Sequence, residues 1–285
     1  MLVVLLCCFQ FAQLSSVADG RPGLQIESKN LGAGTAGSDA HPILVELFTS
    51  EGCSSCPPAD AFLRKMDDSK LASGGQLIVL SEHVDYWDHD GWKDPNSSAA
   101  LTERQTEYAR ELKLDTPYTP QFIVDGTSEL LPQDPKQVDM AVKEALTAPK
   151  LPVHIGEVSF DGENPTTLRT RIEAVAESKQ AKADVFVAVA LDRVESQVLK
   201  GENSGRHLTH VAVVQQLTKI GKLQKGKSFD ETVELKLKPG TDPKNVRVVA
   251  FVQAPGPGRL LGVALRKPSI WTQRAYRPWL RSLLY

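Results

Sequence analysis

The chain has 285 residues, of which 41% are hydrophobic and 24% charged, so it is long enough for two domains and carries enough apolar material for real cores. Thirty-three Lys and Arg against 35 Asp and Glu leave a net charge of −2, which argues against a general nucleic-acid binder. Four cysteines are too few for a disulfide scaffold, so their positions carry the information.

Residues 1–14 (MLVVLLCCFQFAQL) are apolar but too short to span a bilayer, and Ser16-Val17-Ala18 supplies the small-x-small pattern of a signal-peptidase site. Residues 1–18 therefore read as an export signal, although the usual basic start is missing. Too little apolar sequence precedes Cys7 and Cys8 for a lipid anchor there. Residues 19–40, rich in Gly, Ser and Ala, read as a flexible leader. No later apolar run approaches spanning length. The expected product is secreted or periplasmic and keeps two cysteines, Cys53 and Cys56. In an oxidising compartment these two thiols pair with each other or exchange with another molecule.

At residue 43 the pattern becomes structured. Ile43 to Phe48 is a buried strand, and Ala59 to Met66 a helix with Ala59, Phe62, Leu63 and Met66 on one face. Pro57 and Pro58 suit that helix's first turn. Leu77 to Leu80 is a second strand after the Gly74-Gly75 break. Residues 97–112 form a helix capped by Ser97 or Ser98, with Leu101, Gln105, Tyr108 and Leu112 in register. Gln121 to Val124 follows as a strand, turning at Asp125-Gly126 into Ser128 to Leu131. A last helix opens at Asp134-Pro135 and runs to Leu146. Past Pro152 the pattern changes to about seven short strands with turn signals such as Asp161-Gly162 and Pro239-Gly240, which suggests an all-β sandwich. The expected division is an α/β domain over 41–150, a β-sandwich domain over 151–266 and a basic, aromatic tail over 267–285. The tail's aromatics (Trp271, Tyr276, Trp279, Tyr285) would rest on a membrane surface or cement the two domains.

Cys53-Ser54-Ser55-Cys56 lies between the first strand and the first helix. Unpaired N–H groups at a helix start stabilise a thiolate there. Cys53, at the turn and more exposed, is the expected nucleophile, and Cys56, inside the first helical turn, the resolving thiol. Ser54 and Ser55 add no charge, so the helix end alone would lower the Cys53 pKa. Thr119-Pro120 precedes the third strand, where a thioredoxin arrangement places a cis-proline loop beside the cysteines.

The block Glu46 to Asp60 (ELFTSEGCSSCPPAD), with His83-Val84-Asp85-Tyr86-Trp87-Asp88, Gly91-Trp92 and Tyr118-Thr119-Pro120-Gln121, closely resembles a family of secreted proteins of unknown function. The resemblance spans Ile43 to Val263. It implies a thioredoxin-like domain followed by a β-rich one, and settles no activity.

Other residues extend the expected site. Glu46 interrupts the first strand and would relay the proton of Cys56, as a buried acid does in thioredoxins, unless its carboxylate faces water. His83, Asp85 and Trp87 follow the second strand and would shape a substrate groove, unless the segment is only a loop capped by Trp87 and Trp92. Alternatively, His83 would join Cys53 and Cys56 around copper or zinc. Asp88-His89-Asp90-Gly91 fails as a calcium loop at Tyr86 and Ser97. In the second half, 201–207 (GENSGRH) reads as a solvated loop, with Arg206 as a weaker anion contact and His207 and His210 as a weaker metal pair. No organic cofactor is implied. The expected activity is thiol–disulfide exchange with a protein or small disulfide, served by an unidentified redox partner. The rival readings are a metal chaperone and a non-catalytic interaction module.

Overall fold

The computed structural model describes residues 41–69, 76–131, 134–162, 164–176 and 182–268. The signal segment, the leader, the Gly74-Gly75 break and tail residues 269–285 lie outside them. No helix among the described residues is long and apolar enough to cross a membrane.

Strand β1 (Ile43–Thr49) is buried along its whole length, as its unbroken apolar run requires. Helix α1 (Pro57–Asp67) carries the chain back so that β2 (Leu77–His83) pairs with β1 in parallel, from Ile43 opposite Leu77 to Thr49 opposite His83. Helix α2 (Ala99–Glu111) starts at Ser98, whose hydroxyl accepts from the Ala100 amide. Strand β3 (Gln121–Val124) runs antiparallel to β1. Asp125 and Gly126, both at positive φ (55° and 74°), turn it into β4 (Ser128–Leu130), because a tight hairpin needs two left-handed residues. Asp134 caps α3 (Pro135–Leu146).

Among the described residues, the regular elements of the second half are strands apart from one 3-10 turn. The strands are β5 (Val153–Ile155), β6 (Ser159–Phe160), β7 (Thr167–Val175), β8 (Ala183–Gln197), β9 (His207–Leu223), β10 (Ser228–Lys236), β11 (Val246–Gln253) and β12 (Leu260–Arg266). Strands β5, β7 and β10 make a small sheet, with β6 paired to β7. The others do not form a sheet of their own. They extend the first one in the order β12-β11-β8-β9-β2-β1-β3-β4, joined where Ser81 of β2 meets Val213 of β9 in parallel. The change of pattern at 148–152, read from sequence as a boundary between two domains, is therefore a point where one eight-stranded sheet is shared by both halves. A strand pairing more than a hundred residues away leaves no mark on local alternation, so the pattern alone suggested a division.

Each face of the large sheet has its own cover. On one face, Ile43, Val45 and Leu47 of β1 and Val124 of β3 pack under Leu63 of α1 and Val138 of α3. Farther along, Val185, Val187 and Val189 of β8 and Val248, Ala250 and Val252 of β11 pack against Leu168, Ile172 and Leu235 of the small sheet. The alternate residues, including Leu44, Ile78, Ala188 and Phe251, pack together on the other face with Leu101 of α2. The period-2 alternation of strands makes this division. At the far end of α1, Arg247 of β11 clasps Asp67 through two hydrogen bonds of 2.8 Å.

Candidate functional site around the Cys53–Cys56 disulfide

The chain leaves β1 at Thr49, turns through Ser50-Glu51-Gly52 and enters α1 at Cys56. Cys53 N–H donates to Ser50 O and Cys56 N–H to Cys53 O, each at 3.2 Å, which coils the segment ahead of the helix. Cys56 is the residue just before the first helical turn, and its carbonyl accepts from Ala59 and Asp60. The prolines next to it cost the helix nothing, since first-turn N–H groups have no partner within the helix. Cys53 and Cys56 are joined by a disulfide with their Cα atoms 5.4 Å apart.

Ser54 and Ser55 are exposed, but both cysteines are 0% exposed, which corrects the expectation that Cys53 stands open at the turn. Two other segments pack against the cysteine turn. Trp87 lies against Gly52, where an added Cβ would sit 2.7 Å from the Trp87 carbonyl oxygen; a side chain at 52 would collide there. The loop between β8 and β9 closes from the second half. Asn203 Nδ2 donates to the carbonyls of Glu51 (2.9 Å) and Cys53 (2.8 Å), and Glu202 accepts from the Ser54 amide at 3.1 Å. The segment read from sequence as a solvated loop thus braces the cysteine turn.

The other expected residues divide clearly. The Thr119–Pro120 bond is cis, and Pro120 is buried at the start of β3. Thr119 Oγ1 accepts from Trp87 Nε1 at 2.7 Å, so Trp87 ties the proline loop to the cysteine turn. Asp85 does not reach the site. It holds the start of α2 instead, its carboxylate accepting from Thr102 Oγ1 at 2.6 Å. His83 is fully buried and lines no open groove.

Glu46 is buried, which excludes the solvent-facing alternative, but the structure does not bring it to the sulfurs. Residues 43, 45 and 47 face α1, so residue 46 points to the opposite side of the sheet. There its carboxylate accepts from Arg104 Nε at 2.7 Å and from Tyr108 OH at 2.6 Å. A cavity of about 580 Å³ opens beside this cluster, lined by Arg104, Phe186, Lys219, Gln253 and Gly256 among others. None of its lining residues belongs to the disulfide site.

Behind the disulfide lies a polar group that sequence reasoning largely missed. His83 Nδ1 is 2.7 Å from Asp94 Oδ2, and the His83 ring meets the His210 ring edge to face at 4.7 Å. Asp60 accepts from Thr49 Oγ1 at 2.9 Å, and Trp92 Nε1 donates to Glu51 at 3.0 Å. Burial opposes protonation of His83. The charge and hydrogen bond of Asp94, helped by Asp60 and Glu51, outweigh it and lift the imidazole pKa above its ordinary value. Burial likewise works against ionised Asp94, yet His83 and the amides of Glu51 and Asn96 bring it down to about 2. Glu51 is pushed up by burial and by the nearby Asp94. His207 is exposed while His210 is buried, so the two histidines considered together are separated. Among the described residues no group of three His, Cys, Asp or Glu side chains is arranged to hold a metal ion, the set Cys53, Cys56 and His83 included.

The arrangement belongs to a family. The chain is a member of the family of proteins of unknown function DUF1223, whose profile matches residues 44–253. It is similar to the crystal structure of protein AGR_C_4864 from Agrobacterium tumefaciens at 29% identity and a TM-score of 0.61, covering 86% of this chain and all of that one. A domain of the outer membrane lipoprotein Omp28 from Porphyromonas gingivalis matches at 14% identity and a TM-score of 0.28, over 42% of this chain and 88% of that one. No curated protein matches the sequence.

Proposed function

We propose that the protein is a thiol–disulfide oxidoreductase of thioredoxin-like design, acting outside the cytoplasm on a protein or small disulfide. The observation that carries this reading is the Cys53–Cys56 pair set between a central strand and the start of α1, with cis-Pro120 at the head of β3. In the reduced protein the Cys53 thiolate attacks a substrate disulfide, and Cys56 then displaces the substrate thiol and restores the Cys53–Cys56 bond. Thr119 and Pro120 would position the substrate chain. Because both sulfurs are covered, Trp87 and the Asn203 brace must yield before a substrate reaches Cys53. A disulfide between the two cysteines also suits an oxidising, extracytoplasmic setting.

The test is insulin reduction driven by dithiothreitol, with the wild-type chain and Cys53→Ser compared. Turnover above the uncatalysed rate with wild type, and none with the variant, is expected. Equal rates for the two would reject the reading.

A further inference from the structure

Five buried ionisable side chains gather behind the sulfur pair from five separate stretches: Glu51 before α1, Asp60 in α1, His83 ending β2, Asp94 before α2 and His210 in β9. The His210 nitrogens lie between two carboxylates, Nδ1 at 3.6 Å from Asp60 and Nε2 at 3.9 Å from Glu51. Arg64 of α1 lies close by and donates to the carbonyl of Thr209. The two His210 separations are too long for hydrogen bonds. Both His210 nitrogens, His83 Nε2, Glu51 Oε1 and Asp60 Oδ2 have no hydrogen-bond partner among the described residues. Buried polar atoms are normally paired, so five unpaired atoms on four neighbouring side chains mark a place where structure alone does not account for them.

Asp60 connects this group to the disulfide. It follows Cys56 by four residues in α1, and its amide donates to the Cys56 carbonyl at 3.1 Å. That spacing puts the two side chains one turn apart on the same side of the helix. Thr49 occupies Oδ1 and leaves Oδ2 without a partner.

Resting on the oxidoreductase reading, we propose that Asp60 is the proton acceptor for Cys56 and that His210, flanked by the His83–Asp94 pair, holds Asp60 ready for it. When Cys56 resolves a mixed disulfide, its S–H bond breaks and the proton passes to Asp60 Oδ2. The sulfur's electron pair forms the Cys53–Cys56 bond, the bond from Cys53 to the substrate sulfur breaks, and the substrate leaves as a thiolate that takes a proton from water. The two cysteines are oxidised and the substrate disulfide is reduced. In the opposite direction Asp60 returns its proton to Cys56. His210 reaches this place from β9, so the second half of the chain supplies part of the acid–base machinery.

The experiment reads Cys56 directly. In the full chain with Cys7, Cys8 and Cys53 replaced by Ser, Cys56 is the one thiol, and its thiolate absorbance is followed against pH. With Asp60 in place it titrates above the ordinary value of about 8.5. Asp60→Asn lowers that midpoint by about one unit, roughly a tenfold gain in thiolate at a given pH, since a nearby negative charge has been removed. Asp139→Asn, at an exposed position of α3, leaves it unchanged. A midpoint that ignores Asp60→Asn overturns the proposal. A second measurement needs no variant at Asp60: the ¹³C-carboxyl titration of Asp60 differs between the disulfide and dithiol forms of the wild-type chain, and identical curves would refute the coupling. His210→Gln, made in the same single-thiol chain, shifts the Cys56 midpoint, and an unmoved midpoint removes His210 from the relay. None of these readouts requires turnover. Failure of insulin reduction bears on the oxidoreductase reading, while an unmoved Cys56 titration bears on Asp60 alone.

Discussion

Two buried polar groups lie on opposite faces of β1, and they differ in kind. On the α2 side, Arg104 is surrounded by acceptors: Glu46, Tyr108 and Gln253, the last at 3.2 Å from Nη1. Its guanidinium also lies 5.0 Å from the Tyr108 ring and 5.3 Å from the Phe251 ring. Arginine does not titrate in proteins, so this group carries a permanent charge matched to a permanent place. Glu82 beside it makes no hydrogen bond, its Oε1 lying 3.6 Å from Arg104 Nε, and burial and Glu46 force it well above its ordinary pKa against the pull of Arg104. On the α1 side His83 and His210 face the carboxylates of Glu51, Asp60 and Asp94, and several of their polar atoms make no hydrogen bond. The first group pins α2 to the sheet. The second is built for protons to move.

The largest expected effect breaks the pin. Arg104→Met leaves the Glu46 carboxylate buried without its counter-charge, with the Tyr108 hydroxyl as its remaining donor, which costs about 3–5 kcal/mol in denaturant unfolding. Under native conditions the Cys56 titration should not change; if it does, the two faces are not independent. A smaller effect is expected at the brace. Asn203→Ala removes both hydrogen bonds to the cysteine turn at a cost of about 1–3 kcal/mol. Reduction of Cys53–Cys56 by a small thiol should accelerate, and an unchanged rate would mean that the loop does not shield the sulfurs. The smallest effect concerns pH. Asp94 falls from 3.8 to about 2 in the folded protein, so its stabilisation, about 2 kcal/mol, is present above pH 3.8 and is lost as pH falls toward 2. His83 is shifted upward, so its share is full below pH 6.5 and is lost as pH rises through its folded value. Urea unfolding across this range should therefore show a plateau with a decline on each side. Asp94→Asn should flatten both declines, and Arg104→Met neither.

The cysteine pair, the turn at Asp125-Gly126, the caps of α2 and α3 and the position of cis-Pro120 were legible because each depends on neighbours in sequence. Glu46 was placed correctly in a strand but assigned to the wrong partner. Alternation tells that residue 46 faces away from 45 and 47, yet which of those faces carries α1 is a tertiary fact. Asp60 had a readable signal, since its spacing of four from Cys56 puts both on one helix side. His210 had a weaker one, a histidine in an alternating strand, and nothing local reveals that β9 docks beside β2. For the same reason the strand-rich second half looked separate from the sheet it extends.

That docking has a consequence for any shortened form of the chain. A fragment ending after α3 would lose the Ser81–Val213 pairing and leave the Leu77–His83 strand at an edge of its sheet. An exposed, mostly apolar edge strand recruits strands from other molecules, so such a fragment would be driven toward self-association. The later strands therefore also guard the earlier ones, since their docking at Ser81 takes the place where a stranger would otherwise bind.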